Sequence, residues 1–354
     1  MLTTLSISIN QVARSRRDEV DFQNLVFGRT FSDHMFMAEF REGQWQNLSI
    51  RPYGPLSFSP ALMGLHYGQS IFEGMKAYRT IANQVVLFRP EENARRLNRS
   101  AQRMCMPELP EEIFIEGLRQ LVALDKEWVP EADGASLYLR PLMFASDEYV
   151  GLRPSENYTF LVMASPVAAY YAEPVKVKIE THYVRASPGG TGGAKTAGNY
   201  AASMYPARLA QQAGYHQLIW TDALTHQFVE EAGTMNVMFK IGGKIITAPT
   251  GDTILEGITR MSILQLARAW GYPVEERPLA VAEVIEAAQN GQLEEAFGVG
   301  TAAMVSPIAL IGYQGQDYPL APLGKDGFAL RAKQYLINLC KGREADTFGW
   351  LTEV

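Results

Sequence analysis

Midway along the chain the patterning stops. Residues 166–175 read PVAAYYAEPV, with two prolines and no sustained apolar period. Proline fixes φ, removes a backbone donor and disfavours helix in the residue before it, so such a stretch punctuates a fold. At 354 residues the chain exceeds what one hydrophobic core usually organises. The break therefore predicts two domains: a small N-terminal domain over 1–172, a linker over 173–181 and a larger C-terminal domain over 182–354.

Either side of the break, strands and helices mix. Segment 34–51 alternates apolar and polar residues around Glu42-Gly43, a hairpin pattern. The runs GMKAYRT and QVVLFRP meet at Ala82-Asn83 as two further strands. After Pro90, Ala94, Leu97, Ala101 and Met104 recur at helical spacing among Arg95, Arg96, Arg99 and Arg103, and a second helix spans about 110 to 128. Segments 135–144 and 158–165 are strand-length apolar runs. In the second half a strand over 175–184 leads into a glycine-rich loop and a helix over about 197–213 that stops at Gly214. Short strands follow at 215–220, 226–230, 235–240 and 244–248, then helices at about 257–269, 281–289 and 325–341. Without strict βαβ alternation, the order predicts a mixed α/β (α+β) protein rather than a doubly wound sheet.

With apolar residues at 47% and charged residues at 20%, the chain has ample core and is not wholly disordered. Its net charge is -6 and it has no basic block, which argues against nucleic-acid binding. Cys105 and Cys340 form neither a CxxC nor a metal or disulfide framework, so no metal site is expected and the thiols point to a reducing compartment. No run reaches the ~18 apolar residues that a membrane span needs, and residues 1–20 lack the apolar core of a signal peptide. The expected location is cytoplasmic.

Residues 189–198 read GGTGGAKTAG: five of ten are glycine, against 30 in the whole chain. Glycine permits positive φ and close approach of backbone to another group. Lys195 is the one long side chain in this stretch. Three readings stand side by side. The loop is a flexible surface segment with a solvated lysine, or a phosphate cradle, or the seat of a nucleophilic amine that forms an imine with an aldehyde cofactor. The cradle reading fails at Ala194, where a GxxxxGK[ST] motif requires glycine. Tyr200, five residues on, suits either a core or a cofactor-oxygen contact.

An imine-forming cofactor with a pyridine ring works as an electron sink when a buried carboxylate keeps its ring nitrogen protonated. FVEEAGTMNVMF sets Glu230 and Glu231 in a strand-like run before Gly233-Thr234. Neighbouring strand residues face opposite sides, so one of the pair points inward. Gly257-Ile258-Thr259 at a helix start offers N–H groups and a hydroxyl to an anion. Gly300-Thr301 in FGVGTAAMVSP forms a second such cup, and Arg96 is a candidate counter-charge. Each motif also has a plain structural reading as a strand end, an amphipathic helix or a solvated arginine.

Taken in order, however, LHYGQSIFEGMKAYR, LVALDKEWVP, SLYLRP, YVRASPGGTGGAKTAGNY, EEAGTMNV, LEGITR and GVGTAAMVSP cover nearly the whole chain. The sequence resembles the branched-chain amino acid aminotransferases, in the long form, within the fold-type IV pyridoxal phosphate enzymes. The resemblance implies two α/β domains with the active site between them, pyridoxal 5′-phosphate as cofactor and a homodimer. It implies that Lys195 is the covalent anchor and acid–base, that Tyr200 bonds the ring oxygen and that Glu231, not Glu230, meets the ring nitrogen. Arg96, Ile258 (through its N–H), Thr259 and Thr301 would hold the phosphate. Thr234 and the backbone at Ala302 and Ala303 would take the substrate carboxylate, and Phe72, Tyr138, Arg140 and Tyr170 would line the side-chain pocket. Tyr67 would reach the site of the neighbouring subunit. The implied reaction is ping-pong transfer from leucine, isoleucine or valine to 2-oxoglutarate.

The chain departs from the mammalian enzymes, whose CxxC pair after the GTA loop is replaced here by Ala303 and Ser306. Two rivals share the lysine and the phosphate cup: a D-amino acid aminotransferase or aminodeoxychorismate lyase, and a non-catalytic binding protein on the same fold. The N-terminal region and LVALDKEWVP count against the first. Tyr138, Arg140, Thr234 and the GTA loop count against the second.

Overall fold

The computed structural model describes residues 5–168, 173–324 and 326–354, and the chain divides into two compact units. The first comprises Met1–Tyr170, Lys195–Ala197 and Ile337–Val354; the second comprises Tyr171–Ala194 and Gly198–Leu336.

Among the described residues the first unit is built on a nine-stranded sheet. His34–Arg41 and Gln44–Pro52 form the hairpin expected from the alternation, and both turn residues, Glu42 and Gly43, have positive φ. That is the turn whose twist matches paired strands. Tyr158–Val167, Ser136–Ala145, Met75–Arg79 and Val85–Phe88 follow across the sheet, and Ser70–Phe72 pairs with Ser136–Ala145. Two helices, Pro90–Arg103 and Glu111–Leu124, supply Ala94, Leu97, Ala101, Phe114, Leu118 and Val122 to one core with Phe36, Ile71, Met75 and Phe160. The first helix begins with Pro90 and carries Glu91 and Glu92 in its first turn, where the helix dipole favours acids. The second comes close to the sheet at Gly117, where an added Cβ would lie 2.8 Å from the Phe36 ring.

The second unit has a ten-stranded sheet among the described residues, and part of it closes on itself. Met235–Ile241, Leu293–Gly300, Met304–Tyr313, Val175–Ile179, Gln217–Thr221 and Phe228–Ala232 form a ring, completed where Phe228–Ala232 pairs back with Met235–Ile241. Val177, Ile179, Ile219, Val237, Phe239 and Ile308 share its core. Helices Ala197–Gln212, Ile258–Ala269, Val281–Asn290 and Phe328–Cys340 match the expected helices to within three residues, and Gly214 and Gly271 lie just past two of their ends with positive φ. These elements establish the mixed α/β class. No helix among the described residues is long and apolar enough to cross a membrane.

The division differs from the one expected in four respects. Residues 173–181 are not a linker, because Val175–Ile179 is a strand between Met304–Tyr313 and Gln217–Thr221, its Val-Lys-Val-Lys-Ile alternation burying Val177 and Ile179. Lys195–Ala197 belongs to the first unit, bound there by the Ile71–Thr196 bridge and the Thr196 Oγ1 bond to the Ser70 carbonyl at 2.8 Å. The C-terminal residues return as well: Leu351–Glu353 pairs with Val85–Phe88 and completes an edge that would otherwise be open, with Trp350 buried against Phe88. With that return the first unit, not the second, is the larger by span.

Candidate active site

In the first unit the backbone of Lys195 is held from both sides. Its N–H donates to Ser100 Oγ at 2.9 Å, and its carbonyl accepts the Phe72 N–H at 3.0 Å. Its Nζ lies 5.0 Å from the centroid of the Phe72 ring, and the Arg140 guanidinium sits 4.7 Å from the same ring. Arg140 Nη2 donates to Tyr138 Oη at 2.9 Å, while its Nε is buried without a hydrogen-bond partner. Gly74 makes room for this wall, since a Cβ there would overlap the Tyr138 hydroxyl.

Arg96 is buried on the Pro90–Arg103 helix and meets the fully buried Glu73 in a two-pronged ion pair, Nε to Oε1 at 2.8 Å and Nη2 to Oε2 at 2.7 Å. Asn93, Arg96 and Ser100 are all buried polar residues of this helix, at spacings of three and four that put them on one face. Tyr67 ends the short helix Met63–Tyr67 and is 41% exposed.

In the second unit Arg185 is the organising cation. Its Nε lies 3.3 Å from Glu231 Oε2, and its Nη2 donates to the carbonyls of Gly192 and Thr253. The glycines of the loop serve close approach: a Cβ at Gly193 would lie 2.5 Å from the Gly251 carbonyl oxygen, and one at Gly192 would lie 2.7 Å from that of Asp252. Asn199 ties the loop internally, donating to the carbonyls of Thr191 and Ala194 at 2.8 and 2.9 Å.

Glu231 is buried, accepts the Leu255 N–H at 2.7 Å and sits directly across the hairpin from Asn236, whose Nδ2 lies 3.4 Å away. Asn236 also donates to the Leu255 carbonyl at 2.8 Å. This links the carboxylate to the segment that opens the Ile258–Ala269 helix, where Ile258 and Thr259 are buried. Gly257, the residue before that helix, is packed so closely on Asn236 that a Cβ would overlap its Oδ1.

Glu230 is buried as well, so burial alone does not separate the Glu230–Glu231 pair as strand alternation predicts. Its Oε2 is buried without a hydrogen-bond partner, and burial pushes its carboxyl above the usual range despite the opposing pull of Thr253 and Arg185. Thr234 occupies the turn of this hairpin, and Thr301, Ala302 and Ala303 the turn between Leu293–Gly300 and Met304–Tyr313. The register that pairs Asn236 with Val299 brings Thr234 and Thr301 to the same end of adjacent strands. Tyr200 lies in the first turn of the Ala197–Gln212 helix, half-buried. Tyr170 lies outside the described residues.

The structure thus joins Lys195, Phe72, Tyr138, Arg140 and Arg96 in one unit, and Glu231, Ile258 and Thr259 in the other. Sequence reasoning missed the residues that hold them: Glu73, Ser100, Arg185, Asn199 and Asn236. Their signal is a polar residue inside an apolar period, as with Glu73 in SIFEGMKAY or Ser100 between Leu97 and Ala101. Such residues stand out once burial is known. Among the described residues no group of three or more His, Cys, Asp or Glu side chains could hold a metal ion.

The first unit thus carries a lysine on a clamped backbone and a buried arginine, and the second a buried carboxylate held by cationic and N–H donors. The family model for class IV amino-transferases matches residues 70–311, and the chain belongs to that class. Its relatives narrow the family. The chain is 44% identical to the branched-chain-amino-acid aminotransferase 2 of Bacillus subtilis, covering 97% of this chain and 96% of that one. It is 42% identical to the branched-chain-amino-acid aminotransferase of Mycolicibacterium smegmatis over 99% and 98% of the two chains. Within its class the chain belongs to the branched-chain-amino-acid aminotransferases. Among solved structures it resembles a T.th. branched-chain amino acid aminotransferase complexed with N-(5'-phosphopyridoxyl)-L-glutamate, at 26% identity and TM-score 0.72, covering 90% of this chain and 97% of that one.

Proposed function

We propose that this chain transfers the amino group of L-leucine, L-isoleucine or L-valine to 2-oxoglutarate by a reversible ping-pong reaction with pyridoxal 5′-phosphate, giving branched 2-oxo acids and L-glutamate. The observation that carries the reading is the Phe72–Arg140–Tyr138 cluster, in which a guanidinium sits against an aromatic ring and a phenol. The two substrates present unlike side chains in turn, one aliphatic and one ending in a carboxylate. Aromatic faces accept the first, and a guanidinium fork accepts the second.

The donor set fits the cofactor. A buried carboxylate held by N–H donors and Arg185 suits a protonated ring nitrogen. A buried guanidinium and a helix N-terminus suit a phosphate. When bound, the cofactor supplies an electron sink for the electrons left on substrate Cα.

Lys195 would hold the cofactor through its amine and would serve as the acid–base that moves the proton at substrate Cα. Glu231 would keep the ring nitrogen protonated, and Tyr200 would bond the ring oxygen. Arg96, the Ile258 N–H, Thr259 and Thr301 bind the phosphate. Thr234 and the backbone at Ala302 and Ala303 take the α-carboxylate, with Phe72, Tyr138, Arg140 and Tyr170 around the side chain. Tyr67 is supplied by the second copy in a homodimer, and the enzyme works in the cytoplasm.

The test is an absorbance titration of purified holoenzyme. L-Leucine should bleach the visible band of the lysine-bound cofactor, and 2-oxoglutarate should restore it. Bleaching by D-alanine with no response to L-leucine would overturn the substrate assignment and favour a D-amino acid enzyme.

A further inference from the structure

We propose that Glu73 is a positioning residue that aims Arg96 at the cofactor phosphate, and so sets how tightly the phosphate is held. The inference rests on the reading that Arg96 is a phosphate ligand.

Glu73 is fully buried, and every polar group on its carboxylate is a donor. Arg96 Nε reaches Oε1 at 2.8 Å; Arg96 Nη2 and Asn93 Nδ2 each reach Oε2 at 2.7 Å; the Gly74 N–H lies 3.4 Å from Oε2. An ionised carboxylate accepts at all of these positions, whereas an amide must turn its NH2 toward at least one donor. The environment is therefore specific for the charged acid. A guanidinium is planar, so fixing its Nε/Nη2 edge in a fork fixes the direction of the whole group. Burial of both charges is offset by their pairing, and removing one leaves the other uncompensated.

The position of Glu73 in the chain extends its reach. The Phe72 N–H before it binds the Lys195 carbonyl at 3.0 Å, its own N–H binds the Pro141 carbonyl at 2.8 Å, and Gly74 after it lies against Tyr138. One tripeptide thus sets the anchor lysine, the pocket wall and, through Glu73, the candidate phosphate arginine. A shift of the arginine by an ångström would cost binding at the phosphate and leave the ring contacts in place.

The experiment compares two ligands that differ by the phosphate. Apoenzyme is titrated with pyridoxal phosphate and with pyridoxal, following the cofactor's absorbance, and apoenzyme melting is recorded as a folding control. Glu73→Gln should raise the dissociation constant for pyridoxal phosphate by about 10-fold or more and leave that for pyridoxal within about 2-fold. Equal losses for both ligands would make Glu73 a structural residue only, and no loss for either would refute it outright. If Glu73→Gln does not fold, Glu73→Asp, which keeps the charge but shortens the reach, is read by the same ratio. Arg96→Lys separates the two levels. If it leaves pyridoxal phosphate binding unchanged, the phosphate role of Arg96 itself falls. If it weakens binding while both Glu73 variants do not, the positioning role alone falls.

Discussion

Ser100 Oγ accepts the backbone N–H of Lys195 at 2.9 Å, across 95 residues of sequence. Ser100 is one helical turn beyond Arg96, so one helix face carries both a seat for the Lys195 backbone and a candidate phosphate ligand. Replacing Ser100 by alanine leaves a partly buried N–H without its acceptor. A loss of about 1–3 kcal/mol is expected in urea unfolding, with recovery in Ser100→Thr. An unchanged midpoint in Ser100→Ala would show that the bond contributes nothing.

Lys195→Ala should abolish turnover of L-leucine with 2-oxoglutarate, because no other group supplies both the covalent anchor and the proton at Cα. Substantial steady-state activity in this variant, measured as glutamate formed, would refute the assigned role.

Glu231→Ala should keep the cofactor, which other residues hold, and lose about 10²-fold or more in kcat, as expected for loss of a fixed electrostatic partner. Arg185 and Asn236, which fix the carboxylate, are expected to show the same direction with a smaller effect. An unchanged kcat in Glu231→Ala would transfer the role elsewhere, with Glu230 the next candidate.

Gly74→Ala would drive a methyl group into the Tyr138 hydroxyl, which accepts from Arg140 Nη2. Overpacking of this kind costs about 1–3 kcal/mol. The shift falls on the pocket wall, so KM for leucine and for 2-oxoglutarate should rise more than kcat falls. A wild-type KM for both substrates would show that the wall does not shape the pocket.

Glu230 gives a pH signature. Its carboxyl is pushed up chiefly by burial, so the folded state favours the protonated form. Its contribution to stability is therefore present below the ordinary glutamate range and is lost as pH rises through the raised folded value. Glu230→Gln, which mimics the protonated form, should flatten the fall in melting temperature between acid and neutral pH. An identical pH dependence in both proteins would assign that fall to other groups.

The hairpin at Glu42-Gly43, the helices after Pro90 and at 257–269, and the glycine loop around Lys195 were legible because they are local. Each depends on a period, a turn residue or a cap within one short segment. Glu231 was separable from Glu230 through the resemblance, and the structure distinguishes them physically. Glu231 has Arg185, Leu255 and Asn236 around it, whereas the Oε2 atom of Glu230 has no hydrogen-bond partner.

By itself the sequence determined the mixed α/β class, most of the helices and the family. It could not determine which distant segments complete each unit. The return of Leu351–Glu353 to an edge strand, the membership of Lys195–Ala197 in the first unit and the use of Val175–Ile179 as a central strand depend on pairings 40 to 269 residues apart in the chain. Nor could it reveal Glu73, Ser100, Arg185 and Asn236, whose importance lies in burial beside charged or polar partners. A buried polar group must be satisfied wherever its partner lies in sequence, and only the folded chain brings that partner within hydrogen-bond distance.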